Sequence, residues 1–321
     1  VCHGRLAEGV RHRGLSEPHH PALLALMTSQ HETNRHTRPV NRGNMEVGDG
    51  QQVAPWLSII TPVKDALTAL ARTCESLASQ DLAGVEWLIV DSSTDGDEVP
   101  LFIRQRAGIP VTYIHQEPRG IFAAMNRGVT ESAGHYVYFL NAGDTLMSSE
   151  SLTTLRHALA ANNFPPWAYA DVEMVDDQGR VLAPAPWDHA EERSRFFARG
   201  YFPCHQGTVV RGSVIRSLGG FDTSYVIGGD YDLFLRIDRL YPPTHLPFTL
   251  ARFSPGGASS ENWLTALREF HRARRLSLRP SGWAAARERV DTAWFGGKTA
   301  LYRSLWAPGR PLHRVVRRIG H

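Results

Sequence analysis

Between residues 56 and 146 the chain alternates solid apolar runs with amphipathic ones, and this alternation restricts the fold more than any other feature of the sequence. WLSIITPV (56–63) reads as a buried strand that Pro62 breaks, and LTALARTCESLASQ (67–80) as a helix with Leu67, Leu70, Cys74, Leu77 and Ala78 on one face. The strand VEWLIVD (85–91), a short helix over 99–106, the strand VTYIHQ (111–116), the helix GIFAAMNRGVTES (120–132) and the strand HYVYFLN (135–141) follow. Strands separated by helices at these distances imply βαβ units, hence an α/β, Rossmann-like, mostly parallel sheet flanked by helices. Polar residues that end such strands, here Thr61, Asp91 and Asn141 with Asp144, gather at the carboxyl edge, where open α/β sheets bind ligands.

A second block runs from Trp167 to about Ser254. WAYADVEMVDDQGRVLAP (167–184) reads as a hairpin turning at Asp177, Gln178 and Gly179, and CHQGTVVRGSVIRSLGGFD (204–222) as a strand entering a helix that stops at Gly219–Gly220. GGDYDLFLRIDRL (228–240) opens a helix with Leu233, Phe234 and Ile237 inward and two carboxylates, Asp230 and Asp232, in its first turn. Carboxylates there cap free amides and complement the helix dipole, so capping competes with chemistry as their role. From residue 261 onward, helical stretches interleave Trp, Tyr and Leu with Arg.

Length and composition narrow the function. With 321 residues and 42% hydrophobic content the chain supports one large domain with appendages, or two domains. Net charge is only +3, but residues 262–321 hold thirteen Arg or Lys against three Asp or Glu, a balance of +10 that leaves −7 for the remainder. That basic, aromatic end suits an anionic membrane surface or, equally, a solvated helix face; it contains no nucleic-acid-binding module. Residues 1–52 lack a sustained period and are expected to be a disordered extension, and their six histidines have no ligand spacing. Three dispersed cysteines fit a reducing, cytoplasmic setting, and no apolar run reaches the roughly 20 residues of a membrane span. The expected organisation is an extension (1–52), an α/β domain (53–258, halves 53–147 and 148–258) and a helical tail (259–321).

Several chemistries are excluded by pattern. GxxxxGK[ST], GxGxxG after a strand, and a GxSxG elbow are all missing, and DSSTDG (91–96) fails as a calcium loop because its twelfth position is Phe102. What remains is a set of strand-end carboxylates without a glycine phosphate cradle. A diphosphate bound there needs its charge neutralised, and a hard divalent cation on one or two carboxylates does this. In FLNAGDTL (139–146), Ala142 and Gly143 let the chain turn closely beside a ligand, and Asp144 is placed for a cation; a plain strand-to-helix turn satisfied by Asn141 and Asp144 fits the spacing as well.

Four motifs in order, LSIITPVKD, LIVDSSTDGD, EPRGIFAAMNRGVTESAGHYVYFLNAGDTL and GGDYDLFLR, resemble those of the family 2 glycosyltransferases, whose fold is called GT-A. The resemblance spans about 57–240. It implies that Thr61, Pro62, Asp91, Asp95, Arg119, Asn126 and Asn141 border a UDP-, GDP- or dTDP-sugar, and that Asp144 holds Mg2+ or Mn2+ as the surviving carboxylate of a DxD-like element that begins with Asn141. It further implies that Asp230 is the base of an inverting, hexosyltransferase-like reaction, with Gly229 where relatives carry Glu. His205, Gln206 and Asp232 would then face the sugar or a glycan or lipid-linked acceptor, and the tail would touch the inner face of the membrane. A protein that keeps this fold to bind a nucleotide sugar without turning it over is the alternative from another class.

Overall fold

A computed structural model describes residues 54–94, 96–105, 109–176, 179–185, 202–254 and 262–306. The expected extension (1–52), Asp95 and the hairpin residues Asp177 and Gln178 lie outside them. β1 (Leu57–Val63), α1 (Leu67–Ala78), β2 (Val85–Asp91), α2 (Glu98–Gln105), β3 (Val111–His115), α3 (Ile121–Glu131) and β4 (Tyr136–Phe139) follow one another as the alternation predicts. β1 lies between β2 and β4, with β3 outside β2, all parallel. The strand order therefore reverses at β1, and the crevice at the carboxyl ends of β1 and β4 is the switch point where such sheets take ligands.

The second half adds β5 (Thr145–Leu146), α4 (Ser151–Ala161), β6 (Trp167–Val175), β7 (Val181–Ala185), β8 (Thr208–Arg211), α5 (Gly212–Ser217), α6 (Gly229–Asp238) and β9 (Thr244–Phe253). Among the described residues the sheet has nine strands in the order β3-β2-β1-β4-β8-β6-β9-β5, with β7 on β6. β8 runs antiparallel to both β4 and β6, while β6 and β9 are parallel, so β1, β2, β3, β4, β6 and β9 all point one way. Two further helices, α7 (Trp263–Leu278) and α8 (Gly282–Trp306), form the helical extension. No helix among the described residues is long and apolar enough to cross a membrane.

Alternating side chains of β1 feed two cores. Leu57, Ile59 and Val63 pack with Leu70, Cys74 and Leu77 of α1 and Leu152, Leu155 and Leu159 of α4. Ile60 packs on the opposite face with Phe122, Met125 and Val129 of α3, in a core that also takes Phe234 and Ile237 of α6.

Pro62 does not break β1, contrary to the sequence expectation: the strand pairs with β2 through Pro62↔Val90 to Val63↔Asp91. Ile60 turns its carbonyl toward β4, where Leu140 N donates to it at 3.1 Å. Pro62 has the same parity and faces that side beyond the end of β4, so its missing N–H forfeits no ladder bond. Three elements, β5, α4 and β9, had no sequence signal assigned to them. In β9, Leu246 partners Ala170 but Thr249 partners Asp171, so Pro247 and Phe248 sit in a bulge that interrupts the alternation.

Trp167 ties the halves of the second core together. It is fully buried, stacks on Phe234 at 5.6 Å and donates from Nε1 to Tyr241 O at 2.8 Å. Trp167→Ala is expected to destabilise the fold by about 3–5 kcal/mol, and Trp167→Phe by clearly less, in chemical denaturation of the full chain.

Candidate active site

Directly after β4 the chain makes a tight turn, with Asp144 N donating to Asn141 O at 3.0 Å. Gly143 takes φ +102°, a backbone state that side-chain-bearing residues avoid. The turn is pinned from α1: Gly143 N donates to Thr73 Oγ1 at 2.9 Å, and the Thr73 hydroxyl donates to Asp144 O at 2.9 Å. The tether sets the depth of the Asp144 side chain, which leaves the residue only 7% exposed.

Two oxygens in this turn are buried without a hydrogen-bond partner, Asp144 Oδ2 and Asn141 Oδ1. Buried acceptors are nearly always satisfied, so a pair left open in one turn marks a place built to receive something positive or hydrogen-donating. Burial pushes the Asp144 carboxyl up to about 6, against the pull of His205, the Asn141 backbone and the Gln206 side chain. Both open groups are hard oxygen ligands, the type that suits Mg2+ or Mn2+ completed by phosphate oxygens and water. No cluster of three or more His, Cys, Asp or Glu side chains able to hold a metal by themselves occurs among the described residues.

His205 and Gln206 lie in a short 3-10 turn, His205–Gly207, that leads into β8. Tyr138 of β4 fixes that turn by donating from its hydroxyl to Gln206 O at 2.7 Å. Asn141 Nδ2 meets His205 Nε2 at 2.8 Å, and His205 Nδ1 lies 3.6 Å from Asp230 Oδ2. Since an amide nitrogen only donates, Nε2 must accept and the imidazole proton sits on Nδ1, facing Asp230. One amide thus serves two tasks, because Nδ2 engages His205 while Oδ1 stays open beside Asp144. Cys204 precedes the turn; burial, then the negative charges of Asp230 and Asp144, push its thiol up to about 12.

Asp230 stands in the first turn of α6 and is about one-fifth exposed, with Oδ1 accepting from Tyr231 N at 2.7 Å. The neighbouring Gly229 has no room for a side chain, since a Cβ there would come within 2.7 Å of the Phe122 ring. Asp232, equivalent to Asp230 by sequence, points elsewhere. It is buried, accepts from Arg236 Nε at 2.8 Å, and Arg236 in turn donates to Leu218 O and Gly220 O. That network fastens α6 to the end of α5. Burial raises the Asp232 carboxyl, with Arg236 opposing.

The remaining sequence-predicted residues divide by location. Asp91, at the end of β2, is fully buried and accepts from Tyr113 Oη and Ser93 N, both at 2.9 Å. Thr61 turns its hydroxyl into the core, where it accepts from Trp87 Nε1 at 2.9 Å, and Pro62 is buried beside it on the sheet edge. Asn126 spends both ends of its amide on Phe221, donating to its carbonyl and accepting from its N–H at 2.8 Å each. Arg119 is exposed just before α3. Of the predicted set, Asn141, Asp144, His205, Gln206 and Asp230 are the residues these contacts join. Sequence reasoning missed Thr73, which reaches the turn from α1, and Tyr138 and Cys204, whose neighbours Asn141 and His205 carried the signal.

A doubly wound half-sheet with its switch-point crevice, followed by an antiparallel strand and a carboxylate turn, is the GT-A fold of glycosyltransferases. Residues 58–203, just under half of the chain, match the family model described as Glycosyl transferase family 2. An uncharacterized glycosyltransferase of Mycobacterium tuberculosis is 24% identical over 249 residues, covering 76% of this chain and 92% of that protein. The O-antigen biosynthesis protein RfbC of Myxococcus xanthus is 30% identical over 192 residues, 58% of this chain but 14% of that much longer protein. The mannosyltransferase PcManGT from Pyrobaculum calidifontis, solved with GDP-Man and Mn2+, superimposes with a TM-score of 0.55 at 16% identity, covering 83% of this chain and 80% of that one. S. aureus TarS 1-349 with UDP-GlcNAc gives a TM-score of 0.56 at 16% identity, covering 79% and 74%. The family match ends at residue 203, so His205, Gln206 and Asp230 lie beyond it.

The raised Asp144 carboxyl has a consequence for stability. The fold prefers its protonated form, so this preference is fully present below the unfolded value near 4 and is lost as pH rises through about 6. Asp144→Asn is therefore expected to be more stable than the parent at pH 7.5, by roughly 2 kcal/mol, and to lose that advantage by pH 4 in thermal melts across pH.

Proposed function

We propose that the chain is an inverting glycosyltransferase that moves a sugar from a nucleotide-diphospho-sugar to an acceptor hydroxyl in the synthesis of a surface polysaccharide or glycoconjugate. The observation that carries this reading is the pair of open buried oxygens, Asn141 Oδ1 and Asp144 Oδ2, joined through His205 to the Asp230 carboxylate. Solved proteins of the same fold bind UDP-GlcNAc and GDP-Man, and a relative is named for O-antigen biosynthesis, which supports this donor and acceptor class.

In this reading Asp144 Oδ2 and Asn141 Oδ1 would hold Mg2+ or Mn2+. When bound, the ion supplies positive charge that stabilises the departing nucleoside diphosphate. Thr61, Pro62, Asp91, Asp95, Arg119 and Asn126 border the nucleotide, Asn126 by holding the Phe221 backbone and Asp91 through its end of β2. Asp230 takes the proton from the acceptor hydroxyl as that oxygen attacks the anomeric carbon on the face opposite the diphosphate. The new carbon–oxygen bond forms while the bond to the diphosphate breaks, which inverts the centre. His205 orients Asp230 through its Nδ1 proton, and Gln206 lines the sugar pocket. Asp232 supports α6 rather than the acceptor.

The test is turnover of a panel of UDP-, GDP- and dTDP-sugars with Mn2+ or Mg2+, read as nucleoside diphosphate release. Turnover of one donor is expected, lowered about 10²–10⁴-fold in Asp230→Asn with donor binding retained, and lost with metal-dependent donor binding in Asp144→Ala. A parent that binds a donor but never turns it over would sink the enzyme reading in favour of a binding protein.

A peripheral membrane contact through the tail belongs to the same proposal. Trp283, near the start of α8, is 93% exposed and Val290 is 66% exposed, within a stretch that includes Arg279, Arg287 and Arg289. Co-sedimentation with vesicles rich in anionic lipid is expected, weakened by Trp283→Ala and by high salt; no binding at low salt would exclude the contact.

A further inference from the structure

Helix α7 lies outside the family match and outside the sheet, yet it carries a carboxylate into the segment that presents Asp230. Glu269 Oε1 accepts from Val226 N at 2.9 Å, and Oε2 accepts from Ile227 N at 2.8 Å and Gly228 N at 2.7 Å. Three consecutive amides just ahead of α6 thus converge on one side chain. Hydrogen bonds from amides to a carboxylate are about twice as strong as those between neutral groups.

The neighbours of Glu269 grip the same segment. Phe270 packs on Tyr231 at 4.9 Å, and Arg272 lies 4.5 Å over the Tyr225 ring while donating to Ser224 Oγ at 2.7 Å. Gly228 is pressed against this helix, since a Cβ there would sit 3.1 Å from both Glu269 Cβ and the Phe270 ring. On the other side, Gly229 is pressed against Phe122 of α3. Asp230 follows immediately, its carboxylate 3.6 Å from His205.

We infer that Glu269 is a positioning residue for the transfer reaction: by holding the 226–228 amides it fixes the first turn of α6 and so the direction in which Asp230 meets the acceptor. This rests on the reading of Asp230 as the base. α7 is then a working part of the acceptor half of the site. Glu269 touches neither substrate nor the reacting atoms, and its effect passes entirely through the backbone that leads to Asp230.

The experiment uses the full chain and the donor that the panel of UDP-, GDP- and dTDP-sugars shows to be turned over. Hydrogen exchange, without any donor, is followed in parent and Glu269→Gln. Amides of 225–232 are expected to exchange at least about tenfold faster in the variant while those of β1 and β2 keep their protection. Under turnover, kcat should fall about 10- to 100-fold with the donor KM within about twofold, as a small misplacement of a reacting group produces. The double variant Glu269→Gln with Asp230→Asn should be no slower than Asp230→Asn alone, because a positioning residue has nothing left to position. Unchanged exchange in 225–232 overturns the inference, as does faster exchange with full kcat, or a double variant whose losses multiply. Should Glu269→Gln unfold, Glu269→Asp, which keeps the charge on a shorter stem, is judged by the same three readouts. A parent without turnover defeats the reading of Asp230 as base and the positioning role with it, and the exchange experiment still separates that failure from an error about the tether.

Discussion

The hydroxyl of Thr73 fixes the turn that carries Asn141 and Asp144. It accepts from Gly143 N and donates to Asp144 O, so α1, on one face of the sheet, sets the turn that follows β4. A turn drawn in this way carries its carboxylate below the surface, and burial raises the Asp144 carboxyl into the range where a nearby cation or proton decides its charge. The sheet supplies the location at its switch point, and the threonine supplies the depth. Without both, Asn141 and Asp144 would be an ordinary polar turn, hydrated and unremarkable in energy.

Around that turn the site is assembled by contacts between distant parts of the chain. Asn141 reaches His205, 64 residues on, and Tyr138 holds the Gln206 carbonyl, 68 residues on. The amide at position 141 engages His205 through Nδ2 and still leaves Oδ1 open beside Asp144. The closed space at Gly229 is similar in kind, for the Phe122 ring takes the room a side chain would need, and Asp230 stands next to a position that only hydrogen fills.

Much of this was legible in the sequence where the signal is local. Strand-helix alternation over 56–141 marked β1 to β4, and the polar residues at the ends of those strands marked the edge that carries Asn141 and Asp144. What lay beyond reach was set by tertiary partners. Asp230 and Asp232 share a helical turn and a residue type, and what separates them is that Asp232 accepts from Arg236, itself bound to the 218–220 backbone, and from Tyr225 Oη, while Asp230 lies beside His205. Pro62 looked like a break because sequence does not reveal that β4 ends before reaching it. β9 was hidden by the bulge at Pro247 and Phe248, and Thr73 and Glu269 act across 70 and 41 or more residues, which no spacing rule covers.

The thiol of Cys204 stays protonated because it is buried and shares its surroundings with Asp144 and Asp230, whose charge opposes a thiolate. Thiolates attract zinc and copper strongly, and hard cations hardly at all. By holding that thiol protonated, burial and the two carboxylates leave Cys204 a weak ligand for thiophilic metals and poorly reactive toward oxidants and alkylating agents.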